Sequence, residues 1–98
     1  MTTMIKRTDK VILPNFGKYL VYLRKSKNLK QSQVIYKSNK AKNGCRISSS
    51  NLSRYEAGKT GDPSFSLLKT FSTIYEEPIE NIIKVLMEEK YGVDIGYK

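Results

Sequence analysis

One stretch of the sequence gathers hydrogen-bonding side chains onto a single face of a predicted short helix, residues 47–58. That face holds four short polar side chains and one guanidinium, from Ser49, Ser50, Asn51, Ser53 and Arg54. No acid stands among them, so the face complements base-edge acceptors and a negative phosphate backbone. A helix of this kind fits a DNA major groove. Taken alone, the stretch is more typical of a capped surface helix without a ligand.

The same stretch carries the signals that start, orient and stop a helix. Ser48 is a good N-cap, because its hydroxyl can accept from an unpaired backbone N–H of the first turn. Ile47 before the cap and Leu52 after it have the spacing of a hydrophobic staple. Leu52 and Tyr55 fall on one face, and Gly58 supplies a stop that tolerates positive φ. The polar face is therefore predicted to point away from an apolar one.

The charge of the chain is distributed unevenly. Its 98 residues allow one domain with one modest core, and the net charge is +9. Residues 1–59 hold fourteen Lys and Arg against two acids, whereas residues 60–98 hold four Lys against seven acids. A chain with its cations on one half has a candidate polyanion-binding side, for nucleic acid or for an anionic membrane. No run approaches the roughly 18 apolar residues of a spanning helix, and no signal-peptide core is present, so we expect a cytoplasmic protein.

The residue types that are absent limit the chemistry. The chain has a single cysteine, Cys45, and no histidine. A disulfide within the chain is impossible, and a zinc site of the usual Cys/His kind is excluded. The commonest general base is missing too. We therefore expect no enzyme activity, no metal and no cofactor.

The first half of the chain predicts a basic arm and two helices before the polar one. Residues 1–14 are basic, have no helical period and are expected to form a flexible arm. A helix capped by Asn15 follows, with an apolar stripe at i, i+3, i+4 and i+7 from Phe16, Tyr19, Leu20 and Leu23. A second helix is predicted from Gln31 to about residue 41, with Val34 and Ile35 buried.

The second half predicts two more helices and a short tail. Ser64 is placed to cap a fourth helix that runs to Tyr75. Pro78 suits the first turn of a fifth, where neighbouring acids favour the helix N-terminus. The predicted domain spans residues 15–90, and residues 91–98 form a Gly-punctuated tail. The fold class is all-α, a compact bundle of five helices.

This order of helices resembles the phage-repressor and Cro-like (XRE-type) helix-turn-helix regulators over residues 16–83. The resemblance implies a lambda-repressor-like DNA-binding domain. Four sequence motifs of that family stand here in register, at Leu20, Leu23 and Arg24; at Leu29, Lys30 and Gln31; at Ile47, Ser48, Leu52, Ser53, Arg54, Tyr55, Glu56 and Gly58; and at Pro63, Ser64, Leu67, Leu68 and Phe71.

The resemblance also implies roles for individual residues. It makes Ser49, Ser50 and Arg54 the chief readers of base edges, with Asn51 and Ser53 on the flanks of that face. It pairs Arg24 with Glu56, holding the first helix to the reading helix. The DNA backbone contacts that we expect come from Gln31, Lys30, Lys42, Arg46, Ser48, Lys59 and Thr60.

The sequence departs from the family pattern before the reading helix. About nine steps usually separate the glutamine from the hydrophobic residue before that helix. Here Ile47 stands sixteen positions after Gln31, which indicates an insertion. The insertion lies within residues 36–46 and lengthens either the second helix or the turn. Ser38 also stands where the family has a buried leucine.

The function that these observations predict is binding of double-stranded DNA by a transcriptional regulator, most simply a repressor. Because one short helix reads few base pairs, we expect a homodimer, formed through the fifth helix and the tail. The alternative is an antitoxin-like or adaptor protein of the same fold that acts mainly through a protein partner. An RNA-binding module is disfavoured, since the basic half lacks a cluster of stacking aromatic side chains.

Overall fold

Five α-helices make up the computed structural model, which describes residues 13–40 and 45–91. They are α1 (Pro14–Ser26), α2 (Gln31–Lys40), α3 (Ser49–Glu56), α4 (Phe65–Tyr75) and α5 (Ile79–Tyr91). These two ranges contain no strand, so the predicted all-α, five-helix fold class is confirmed. Most of the predicted arm, Lys42 and all but the first residue of the predicted tail lie outside the described residues.

The core is built from the apolar stripes that the sequence predicts. Each helix contributes at least one fully or nearly fully buried side chain. Tyr55 of α3 packs edge-on against Phe71 of α4, and Phe71 stacks on Tyr75. Burial of these stripes drives the packing, since buried apolar area supplies most of the folding free energy. The buried apolar residues are Leu13, Phe16, Leu20, Leu23, Val34, Ile47, Leu52, Leu67, Leu68, Phe71, Tyr75, Ile82 and Leu86.

Two of the predicted N-caps are confirmed. The Ser48 hydroxyl accepts from the backbone N–H of Asn51 at 3.1 Å, and the Ser64 hydroxyl accepts from the N–H of Leu67 at 3.1 Å. Each hydroxyl satisfies a donor that has no partner inside its own helix. Gly58 has φ +74°, as expected of a residue that ends a helix in the left-handed region.

The predicted cap of α1 is wrong. Leu13 occupies the N-cap position and Pro14 the first helical position, so Asn15 lies inside the helix. Proline is favoured there because the missing N–H would have no helical partner. The cap comes from α5 instead, where the Glu89 carboxylate accepts from the N–H groups of Asn15 at 2.8 Å and Phe16 at 2.6 Å.

Three further boundaries differ from the prediction. Leu13 is buried in the core and Pro14 opens α1, so these two residues belong to the folded domain and not to the predicted arm. Pro78 stands just before α5, where its carbonyl accepts from the N–H of Asn81 at 3.0 Å. Tyr91 closes α5 and does not open the tail.

The start of α1 lies against the end of α3 with almost no space between the two backbones. A Cβ at Gly17 would stand 2.6 Å from the Glu56 carbonyl oxygen and 2.7 Å from that of Tyr55. The N–H of Leu13 donates to the carbonyl of Gly58 at 3.0 Å. Glycine at position 17 therefore permits this close approach, which fixes where α3 ends.

The insertion predicted within residues 36–46 is described only in part. The helix α2 ends at Lys40, and residues 41–48 separate it from α3. A helix-turn-helix usually needs three or four residues for this turn. Residues 41–44 lie outside the described residues, so the longer helix and the longer turn both stay predictions.

Candidate nucleic-acid interface

The polar face of α3 is turned to solvent. All five predicted base readers, Ser49, Ser50, Asn51, Ser53 and Arg54, are exposed. On the other side of the same helix Leu52 is fully buried and Tyr55 packs on the core. The division between an apolar and a polar side that the sequence predicts for this helix is therefore present.

The side chain of Arg54 is free of protein partners in the part of the chain that the structure describes. Its guanidinium makes no ion pair or hydrogen bond there, and only its backbone carbonyl is used, accepting from the N–H of Lys59 at 3.0 Å. The neighbouring acid, Glu56, is bound elsewhere. Arg54 consequently keeps all its donors for a ligand, and a guanidinium can give two parallel hydrogen bonds to a guanine.

The predicted Arg24–Glu56 pair is present and largely buried. Arg24 Nε donates to Glu56 Oε2 at 2.7 Å, and Nη2 donates to Oε1 at 3.1 Å. Arg24 Nη1 also donates to the carbonyl of Leu29 at 3.0 Å, so the guanidinium links α1, the loop before α2, and α3. The hydrogen bonds to Glu56 raise the pKa of Arg24 above its ordinary value. The pair locks the end of α3 onto α1.

The side chain of Gln31 takes part in the same network. Its Nε2 donates to Glu56 Oε1 at 2.8 Å, and its Oε1 accepts from the Ser53 hydroxyl at 3.3 Å. Both ends of the amide therefore hold α2 to α3. What remains for the predicted phosphate contact is the backbone N–H of Gln31 in the first turn of α2, a position that favours anions.

The other predicted backbone contacts surround α3. Lys30, Arg46, Ser48 and Lys59 are exposed and Thr60 is half-buried. The Ser48 hydroxyl already caps α3 and lies 3.4 Å from that of Ser50. A phosphate contact by Ser48 has to share this hydroxyl with the cap.

Two buried hydroxyls fix the segment that leads into α3. The Ser38 hydroxyl accepts from the N–H of Ile47 at 3.0 Å and donates to the carbonyl of Ile35 at 2.8 Å. The Thr70 hydroxyl accepts from the N–H of Cys45 at 2.7 Å. Together they hold residues 45–47 against α2 and α4, and so place the start of α3.

The sequence signalled only one of these two hydroxyls. Ser38 follows Val34 by four residues, in line with the buried side of α2, and a polar residue at such a position indicates a buried hydrogen bond. Thr70 sits within an apolar helix pattern, and its contact depends on a loop that is distant in sequence. The capping carboxylate of Glu89 gave no signal for the same reason.

No protein-family model matches the chain, and no curated protein or solved structure is detectably similar to it. None of the helices that the structure describes is long and apolar enough to cross a membrane. The relation to helix-turn-helix regulators remains a resemblance of motifs.

Proposed function

We propose that this protein binds double-stranded DNA with sequence preference and regulates transcription, with α3 as the reading helix. The observation that carries the proposal is the exposed polar face of α3, centred on an arginine whose donors are unused by the described part of the protein. The buried Arg24–Glu56–Gln31 network supports it, because a reading helix has to be held rigidly to present its side chains.

Contacts to phosphates and contacts to bases contribute differently to DNA binding. Exposed Lys30, Arg46 and Lys59 bind phosphates and supply affinity that does not depend on sequence. Arg54 binds a guanine through two hydrogen bonds, which contributes about 1–3 kcal/mol of discrimination. The serines of α3 donate or accept equally well, so they add less selectivity than the arginine.

A second copy of the chain completes the proposed site, because α3 has eight residues and reaches few base pairs. The contact surface that we propose is α5 with the tail. Ile82 and Leu86 are buried in the core of their own chain, so they are not available for it. Half-buried Ile79, Ile83, Val85 and Met87 and exposed Tyr91 remain as the apolar side chains of α5 that a partner can cover.

Selection of bound duplexes from a random pool, followed by titration of the winner, tests this proposal. We expect inverted half-sites whose centres lie about 34 Å apart, one helical turn of DNA. Arg54→Ala should remove the preference at one base pair in each half-site, weakening the selected site by about 1–3 kcal/mol per contact while leaving random DNA nearly unaffected.

Lys59→Ala is the matched control, since Lys59 is also exposed and near the end of α3. It should weaken selected and random duplexes alike and reduce the salt slope by about 1. Binding that ignores sequence, or an Arg54→Ala variant that keeps full preference, would reject α3 as the reading helix. The adaptor alternative then takes its place.

A further inference from the structure

A groove of about 350 Å³ lies between the second halves of α2 and α4, away from the face of α3. It is lined by Tyr36, Lys37, Lys40, Thr73, Ile74 and Glu76. No residue of α3 lines this α2–α4 groove. It is therefore a surface that the proposed DNA reading does not use.

The floor and wall of the α2–α4 groove are apolar. Ile74 is only partly covered by the core against which it packs, and the ring of Tyr36 is 62% exposed. An aromatic ring and an aliphatic side chain facing the same opening favour an apolar group between them. The phosphate backbone of duplex DNA offers no such group, whereas an apolar side chain of a protein segment does.

The rim of the groove is cationic. Lys37 and Lys40 are exposed, and neither has an ion-pair partner among the described residues. The Lys40 ammonium lies 5.3 Å from the centroid of the Tyr36 ring, a cation–π contact that keeps its charge beside the opening. The one acid on the rim, Glu76, is paired with Lys27 at 3.2 Å. The rim consequently complements carboxylates.

We propose that the α2–α4 groove binds an acidic segment of a partner protein, with one apolar side chain of that segment on Ile74 and Tyr36 and its carboxylates on Lys37 and Lys40. The groove is open on one side and Tyr36 is well exposed. A free small molecule would remain largely in water there, whereas the rest of a protein segment covers the opening. The proposal does not depend on DNA binding, so each can fail without the other.

The test is an NMR titration of the full chain with a short synthetic peptide that has a single leucine flanked on both sides by glutamates. We expect amide shifts concentrated at Tyr36, Lys37, Thr73 and Ile74, with little change on α3. Replacing the leucine by serine should weaken binding, and replacing the glutamates by glutamine should weaken it further. Shifts spread over every exposed lysine would overturn the proposal, because they show attraction by charge alone.

Charge reversal in the groove gives the second arm. The double variant Lys37→Glu with Lys40→Glu should bind the peptide roughly tenfold or more weakly, because two attractive contacts become repulsive. Lys69→Glu reverses one exposed lysine on α4 outside the groove lining, half the change of charge in the double variant, and should leave peptide binding within about twofold. Both variants are checked for an unchanged fold by their amide spectra.

Titration of the same variants with a DNA duplex tests whether DNA, and not a protein segment, occupies the α2–α4 groove. If Lys37→Glu with Lys40→Glu abolishes DNA binding and a duplex displaces the peptide, the groove belongs to the DNA footprint and the proposal is overturned. If the double variant loses the peptide and keeps the preferred duplex, the groove is a separate protein-docking site. Equal peptide affinity in the double variant and in Lys69→Glu also overturns it.

Discussion

At the scale of single residues, the buried Ser38 shows how a departure from an apolar pattern is stabilised. Its hydroxyl accepts from the N–H of Ile47, a backbone group that water does not reach. A leucine here would bury more apolar area but would leave that N–H without its partner. The N–H of Ile47 therefore requires a hydroxyl at a position that is otherwise suited to an aliphatic side chain.

The substitution Ser38→Ala removes this hydroxyl. Ser38→Ala should lower the free energy of unfolding by about 1–3 kcal/mol, because it leaves the N–H of Ile47 buried and unpaired. Urea denaturation of the purified chain measures the loss. Ser32→Ala, at an exposed serine of the same helix, should change stability by less than about 0.5 kcal/mol. Equal effects of the two substitutions would contradict the proposed role of Ser38.

The hydroxyl of Tyr75 is the opposite case. Its oxygen is buried and has no hydrogen-bond partner among the residues that the structure describes. Burial raises the pKa of Tyr75 above its ordinary value of 10.0, the Glu56 carboxylate raises it further, and Arg24 opposes the rise. The hydroxyl therefore costs free energy without a compensating bond, and it costs more once it must ionise.

Tyr75→Phe should thus stabilise the protein by about 1 kcal/mol near neutral pH. Because the pKa of Tyr75 is higher in the folded than in the unfolded protein, the unfolded chain loses this proton first as the pH rises. The contribution of Tyr75 to the free energy of unfolding is therefore constant below the ordinary pKa of 10.0, and stability is lost as the pH rises above that value. The advantage of Tyr75→Phe should accordingly grow between about pH 9 and pH 11. Tyr19, whose pKa is also raised by burial and by Glu77, is present in both proteins and cancels. Urea denaturation at each pH measures this, and a destabilised Tyr75→Phe protein would reveal a partner for the hydroxyl.

At the scale of the helices, Gly17 determines how closely α1 approaches α3. Replacing a helical glycine by alanine normally stabilises a helix by about 1 kcal/mol. Here the added Cβ would stand 2.6 Å from the Glu56 carbonyl oxygen and 2.9 Å from the Gly58 nitrogen, and neither is a flexible side-chain atom. The two helices have to move apart, and the Arg24–Glu56 pair is strained with them.

We therefore expect Gly17→Ala to destabilise the fold by about 1–3 kcal/mol, the reverse of the usual sign. Because it shifts α3, it should also weaken specific DNA binding more than random binding. Thermal denaturation and duplex titration measure the two effects. Lys18→Ala, at the next and exposed position of α1, is the control and should be close to neutral. A stabilised Gly17→Ala protein would show that the approach of α1 to α3 is not fixed.

The features of the helices that the sequence predicts are those that depend on neighbouring residues along the chain. The caps at Ser48 and Ser64, the glycine stop at Gly58 and the apolar stripes follow from local spacing, and the structure contains them. The Arg24–Glu56 pair was accessible only through the resemblance of motifs. Contacts between distant residues left no local signal, as Glu89 on the start of α1 shows. The missed cap of α1 has this origin, because Asn15 satisfies the local rule while α5 supplies a stronger, charged acceptor.

At the scale of the whole molecule, the acids of the second half serve largely as internal partners. Asp62 pairs with Lys90, Glu76 pairs with Lys27, and Glu77 accepts from the Tyr19 hydroxyl at 2.8 Å. Among the described residues of the cation-rich half, the ion pair between Arg24 and Glu56 is the one that stays within that half. None of the described acids forms an ion pair with the exposed cations around α3, and this uncompensated charge favours a polyanion on that side.

The salt dependence of DNA binding measures how far this positive side extends. The chain enters the fold beside the end of α3, where Leu13 donates to the carbonyl of Gly58. Three cations precede Leu13 in the sequence, Lys6, Arg7 and Lys10. Changing all three to glutamine should reduce the slope of log affinity against log salt by about 2–3 without changing the preferred sequence, since each phosphate contact contributes about 0.9 to that slope. Lys69→Gln, in the acid-rich half, should leave the slope unchanged when the same duplex is titrated at several salt concentrations. A triple variant with an unaltered slope would confine the DNA contact to the folded helices, and an altered preferred sequence would mean that the first residues read bases as well.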